Sequence, residues 1–240
     1  MDRLFLFAAF WILGSIHIHA ETVSASSDAD MYYHQQLYNS ARTGTLNGGT
    51  FHVGMHILNT DPNYDGHFNF AGIEFSNLLG LSTTGSKFLQ LNLKDFKTPR
   101  VIVPGYQGPP LYDYPTTGSF QLAVVALGAA FSESETATLS TWYQDNLFSS
   151  SRIAEVNLTQ AGLVQIDVTS TVNGWILDPT TNFGFGLVGL TSSPLATTAR
   201  FYSSEAAGNL GPVLIPEPAV GSLLAFGFAV ALANRRRRRS

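Results

Sequence analysis

From Thr50 onward the chain is written in short β-branched and aromatic runs, each closed by Gly, Pro, Asn or Asp, and nowhere does it sustain a long helical period. Such punctuation closes strands and hairpins, because Gly and Asn supply turn conformations while Val, Ile, Phe and Tyr suit a pleated, half-buried surface. The runs predict strands over 50–58, 69–75, 87–93, 120–126, 153–158, 163–168, 184–190 and 199–203. Eight strands at this spacing predict an all-β, single-domain fold of the β-sandwich or jelly-roll type. Two helical segments stand out, 132–146 with Glu133 and Glu135 near its start, and 168–177 with Thr169 as its cap. The stretch 99–115, rich in Pro, Gly and Tyr, reads as a loop draped over a sheet. The chain has no cysteine, so no disulfide staples the fold, and thiol nucleophiles and cysteine-ligated zinc are excluded.

Both ends are apolar, and each carries an address. Arg3, the apolar run from Leu4 to Ile16, and small-residue exits at Ala20 or at Val23-Ser24-Ala25 predict a cleaved secretory leader over residues 1–25, exported by the Sec machinery. At the other end Pro216-Glu217-Pro218 precedes fifteen apolar residues, Ala219 to Ala233, and the run Arg235, Arg236, Arg237, Arg238 and Arg239. Fifteen residues fall short of the roughly 20 that cross a bilayer, but Val213, Leu214 and Ile215 extend the run and the arginines can snorkel. The expectation is a short C-terminal transmembrane helix that anchors the chain transiently. Its arginines would lie on the cytoplasmic side and everything before Pro216 outside.

Subtracting both ends changes the charge of what folds. The whole chain is formally −4, whereas residues 21–215 hold seven Lys and Arg against fifteen Asp and Glu, a formal −8. An acidic body lacks the basic stripe that neutralises phosphates, which argues against nucleic acid as a partner. It suits an exported protein.

The order Pro216-Glu217-Pro218, apolar segment, arginine tail resembles the PEP-CTERM sorting signal of Gram-negative bacteria. In that family the segment is recognised by an exosortase, a membrane transpeptidase-like cysteine enzyme, and carriers tend to reach the cell surface or the exopolysaccharide matrix. The resemblance implies that residues 216–240 are a sorting segment, that Pro216, Glu217 and Pro218 are the recognition site with cleavage close by, and that inner-membrane anchoring is transient.

A second resemblance lies in the body, residues 26–215, and is strongest over 164–214. Val164-Gln165-Ile166-Asp167-Val168-Thr169 is followed by Val172-Asn173-Gly174-Trp175, by Asn182-Phe183-Gly184-Phe185, by Ala199-Arg200-Phe201-Tyr202-Ser203-Ser204-Glu205, and by Gly211-Pro212-Val213-Leu214. This order is similar to the DNRLRE domain, an extracellular β-sandwich family with carbohydrate-binding members. Where that family usually has an arginine-phenylalanine strand after its first turn, this chain reads Ile73-Glu74-Phe75. The resemblance implies a non-catalytic module whose last strand is introduced by Pro212, and polysaccharide as a contact.

Read without either family, the residues offer little chemistry. Asp61-Pro62-Asn63-Tyr64-Asp65-Gly66 matches the first half of a calcium loop, but position twelve is Gly72 and Glu74 falls two residues late, which excludes an EF-hand. Asp61, Asn63 and Asp65 are left as ligands of an irregular surface calcium site or as an Asx-rich turn; no other cofactor is expected. His52 and His56, four apart on a strand, lie some 13 Å apart at ~3.3 Å per residue, too far for one ion. No nucleophile elbow, zincin helix or phosphate loop is present. Arg200 and Glu205 read as a structural clasp, and Trp175 as a core residue on the helix face shared with Val168, Thr171 and Val172. Tyr64, Trp142, Tyr143 and the tyrosines of 99–115 are the rings available for sugar stacking. The sequence thus predicts an exported, non-catalytic structural or adhesive module of the cell surface or matrix. A carbohydrate-binding module for exopolysaccharide is the alternative, and a secreted polysaccharide hydrolase with two facing carboxylates comes third.

Overall fold

A computed structural model of the chain describes residues 22–34, 41–44, 49–57, 66–99, 112–131, 151–190 and 198–217. The described residues form an all-β fold. Its strands are β1 (Val23–Ser24), β2 (Ser27–His34), β3 (Ala41–Gly44), β4 (Thr50–Ile57), β5 (Gly66–Glu74), β6 (Lys87–Pro99), β7 (Tyr112–Asp113), β8 (Thr117–Ala126), β9 (Arg152–Gln160), β10 (Gly162–Asp167), β11 (Phe185–Gly189), β12 (Thr198–Tyr202) and β13 (Val213–Pro216). One helix, α1 (Thr169–Leu177), and a 3-10 turn at Pro179–Thr181 separate β10 from β11. All eight runs read from the sequence are strands. The helix expected over 132–146 lies outside the described residues.

Every strand pairing is antiparallel, and the main path runs β1-β13-β6-β12-β4-β5-β11-β8-β9. Two long strands turn this path into a curled sheet. On one side of β6, β10 pairs with Phe88 to Leu93 and β7 with Thr98 and Pro99; on its other side β13 takes Lys87 to Gln90 and β12 takes Leu93 to Lys97. β5 behaves likewise, with β2 along its length on one side and β4 followed by β11 on the other. A strand that changes partner midway bends with the right-handed twist and carries the sheet around its own concave face.

That face holds the core. Leu89, Leu91 and Leu93 alternate inward from β6, as do Phe51 and Val53 from β4, Leu122 and Val124 from β8, and Val164 and Ile166 from β10. Alternation with a period of two made these strands legible. Phe51 stacks on its cross-strand partner Phe201 with ring centroids 5.6 Å apart. α1 closes the core with Trp175, 4 % exposed, whose ring lies 4.6 Å from that of Phe185. Val168 and Val172 are buried beside it, as the sequence implied, while Thr171 is half-buried.

The cap of α1 differs from expectation. The N-cap residue is Val168 and makes no side-chain capping bond. Thr169 sits one residue inside the helix, where its hydroxyl accepts the Lys87 N–H at 2.8 Å and its own N–H donates to Asp167 Oδ1 at 2.9 Å. The hydroxyl therefore serves the sheet, holding the first residue of β6 against the helix start.

Candidate functional site

Two places on the described surface bring together residues with chemistry to offer. The first is the edge at β13. Pro216 closes this strand opposite Lys87, and the Glu217 N–H donates to the Ser86 carbonyl at 2.8 Å. A proline is tolerated there because the last rung of a strand can forgo its N–H. The resemblance places Pro216 at the start of a sorting segment, outside the body of residues 26–215. Pro216 is instead half-buried as part of the sheet and Glu217 is still tied to it, with its side chain exposed. Pro218 and Arg235 to Arg239 lie outside the described residues. On the other side of β13 lies β1, pairing Val23 with Leu214 and Ser24 with Val213, so the sheet takes in residues assigned above to the leader.

The second place is the outer face where β12 crosses β6. The register slips between these strands, so that Phe201 pairs with Leu93 but Arg200 with Asp95, leaving Lys94 as the extra residue of a bulge. Beyond the bulge Phe96 takes the inward position, while Asp95 and Lys97 share the opposite face. Arg200 on β12 meets Asp95 with both arms of its guanidinium, Nε donating to Oδ1 at 2.5 Å and Nη2 to Oδ2. The expected Arg200–Glu205 clasp is therefore replaced by an Arg200–Asp95 pair. Glu205 accepts the Ser204 hydroxyl at 3.0 Å. Burial raises the Glu205 pKa, but hydrogen bonds from Ser203, from its own N–H and from Ser204 outweigh this and hold the carboxyl below its ordinary value.

Three tyrosines lie against three cations on this face. The Arg200 guanidinium sits 4.1 Å from the Tyr114 ring centroid, Lys97 Nζ 4.1 Å from Tyr112, and Lys94 Nζ 5.6 Å from Tyr202. β7 delivers Tyr112 by pairing with the far end of β6, and Pro115 fixes the chain behind Tyr114 by accepting the Phe96 N–H at 2.9 Å. Burial, and then the neighbouring Tyr114, push the Tyr112 phenol above its ordinary value. Tyr114 is 49 % exposed, leaving part of its ring open. The face can hold a ligand by stacking and charge.

Of the tyrosines of 99–115, Tyr112 and Tyr114 come together here, joined by Tyr202, whose place in a strand run gives no sign of this in the sequence. Tyr64, Trp142 and Tyr143 lie outside the described residues, as do Asp61, Asn63 and Asp65. His52 is on β4, opposite Arg200 in the β4–β12 ladder, and His56 follows on the same strand, which is the extended geometry expected. Among the described residues no three His, Asp or Glu side chains gather in a metal-binding group. No described helix is long and apolar enough to cross a membrane. A cleft of about 90 Å3 opens between β1 and the loop after β12, lined by Ser24, Ala25, Ser204, Ala206, Asn209 and Pro212. Small-molecule pockets usually measure about 300 Å3 or more, so this one suits solvent rather than a sugar unit.

No protein-family model matches the chain, and comparison with curated proteins finds no significant relative.

Proposed function

We propose that the protein is an exported structural or adhesive module of the cell surface or extracellular matrix, a sandwich or jelly roll delivered by its leader and processed at its C-terminal segment. The observation that carries this reading is the position of β13. β13 closes at Pro216 and the Glu217 N–H is tied to the Ser86 carbonyl, so the first two residues of the tripartite segment directly continue the last strand of the sheet. An exosortase-type enzyme is the partner that the resemblance supplies. A structural role is supported by how the described charges are used: Asp95 binds Arg200, Arg152 pairs with Glu155, Asp28 accepts the Ser204 N–H at 2.5 Å, and Asp178 accepts the Thr180 N–H at 3.2 Å. Pulse-labelling followed by fractionation tests the proposal. A larger inner-membrane form should chase into a smaller form at the surface or in the medium; a single full-length form that stays in the inner membrane would defeat it.

One observation favours the carbohydrate-binding reading as well. Tyr112, Tyr114 and Tyr202 form a ring-bearing face with cations in an otherwise acidic body, which suits stacking on sugar C–H groups beside a carboxylate. Affinity electrophoresis through gels cast with acidic or neutral polysaccharide would show retardation that Tyr114→Ala abolishes. Equal mobility in every gel would remove this reading.

A further inference from the structure

The first residues of the folded body act as a seam. Val23 and Ser24 pair with β13, and the Ala25 N–H donates to the Pro212 carbonyl at 3.0 Å. One residue later the chain has changed partner. The Ser26 N–H donates to the Glu74 carbonyl at 2.8 Å, the Ser26 hydroxyl donates to the same oxygen at 3.0 Å, and that hydroxyl accepts the Ser76 N–H at 3.0 Å. β2 then continues along β5 from Ser27 onward. The strand thus leaves the β13 edge and joins the β5 edge across a single corner, as strands do that tie two packed layers of sheet. Val23 and Ala25 pack against the core as they cross.

The leader has two small-residue exits, and they differ in what they leave behind. A cut after Ala25 removes Val23, Ser24 and Ala25, which strips the pairing from the outer edge of β13 and leaves Val213 and Leu214 with open backbone groups, the kind of edge that recruits other chains. A cut after Ala20 keeps the whole seam. We infer that the leader is removed after Ala20, so that the mature chain begins at Glu21 and retains β1 as the strand that covers the β13 edge.

The register adds a geometric consequence. Because Val23 faces Leu214 in an antiparallel pair, the chain enters β1 at the end of the sheet where it leaves β13.

The inference rests on the export reading, and its test separates the two. The full-length gene is expressed in a Gram-negative host and the N-terminal peptide of the exported protein is measured by mass spectrometry. A start at Glu21 is expected. A start at Ser26 overturns the inference while leaving export intact, and an uncut Met1 overturns the export reading and the inference with it. Ala20→Leu in the full chain, which removes the small residue that the cut requires, should abolish the start at Glu21, with any remaining cut moved to the second exit after Ala25. Normal processing of that variant would overturn the assignment.

Discussion

Replacing Arg200 by Met should be among the most damaging single changes on the surface of the sheet, and the damage should come through Asp95. The two side chains are only 17 % and 10 % exposed, and the guanidinium also covers the Tyr114 ring. Removing one partner of a buried ion pair costs about 3–5 kcal/mol because a carboxylate is left without its cation. Partial solvent access reduces that to about 2–3 kcal/mol, and the lost cation–π contact adds about 0.5 kcal/mol. For a domain of this size about 3 kcal/mol lowers the melting temperature by roughly 6–12 °C. Urea denaturation of wild type, Arg200→Met, Asp95→Val and the double variant completes the cycle. The double variant should recover much of the loss, because two apolar side chains replace the pair without orphaning a charge. The comparison built into the molecule is Arg152–Glu155, whose side chains are 54 % and 40 % exposed, so that Arg152→Met should cost less than about 1 kcal/mol. Equal losses for Arg200→Met and Arg152→Met, or a cycle with no coupling, would refute the reasoning.

Three further outcomes follow from other corners of the fold. Gly184 has φ +90°, and a Cβ there would lie 2.3 Å from the Ile73 carbonyl oxygen, so Gly184→Ala should cost about 3 kcal/mol or more by calorimetry, through strain and backbone displacement together. Lys87 has no exposed surface and its ammonium donates to the carbonyls of Thr84 and Gly85 at 3.1 and 2.9 Å; desolvation lowers its pKa from 10.5. In the window between that lowered value and 10.5 the unfolded chain binds more protons than the folded one, so wild type should gain stability relative to Lys87→Met as pH rises through it, read as melting temperatures across alkaline pH. Hydrogen bonds from the Thr169 hydroxyl and N–H hold Asp167 below its ordinary 3.8, so its contribution is present above that pH and is lost as pH falls through the lowered value. Asp167→Asn should accordingly flatten the acid limb of the stability profile.

What the sequence disclosed depended on how far apart the interacting residues lie. Strands whose inward residues alternate, such as Leu89-Leu91-Leu93, were legible because the period is local. In β6 the alternation is legible only to Leu93, since the bulge at Lys94 moves the inward position from odd to even residues and breaks the pattern there. β2 is not legible because Ser27 to His34 carries no β-branched residue and adjoins the expected leader. β7 was hidden in a stretch whose composition argued for a loop. The candidate face was scarcely legible. Its cations and rings come from 94–97, 112–114 and 200–202, and only the register of β12 and β7 on β6 makes them neighbours. The nearest acid in sequence, Glu205, was the natural partner to assign to Arg200, yet the cross-strand position belongs to Asp95, 105 residues away.

The central claim is that the chain past the last rung of β13 is an address and no part of the mature fold. Mass spectrometry of the C-terminal peptide of the surface or matrix protein from its native host tests it most directly. The account predicts a mature chain that ends close to Pro216-Glu217-Pro218, trimmed or covalently attached, with residues 219–240 gone. A mature protein that still carries Arg235 to Arg239 would contradict it.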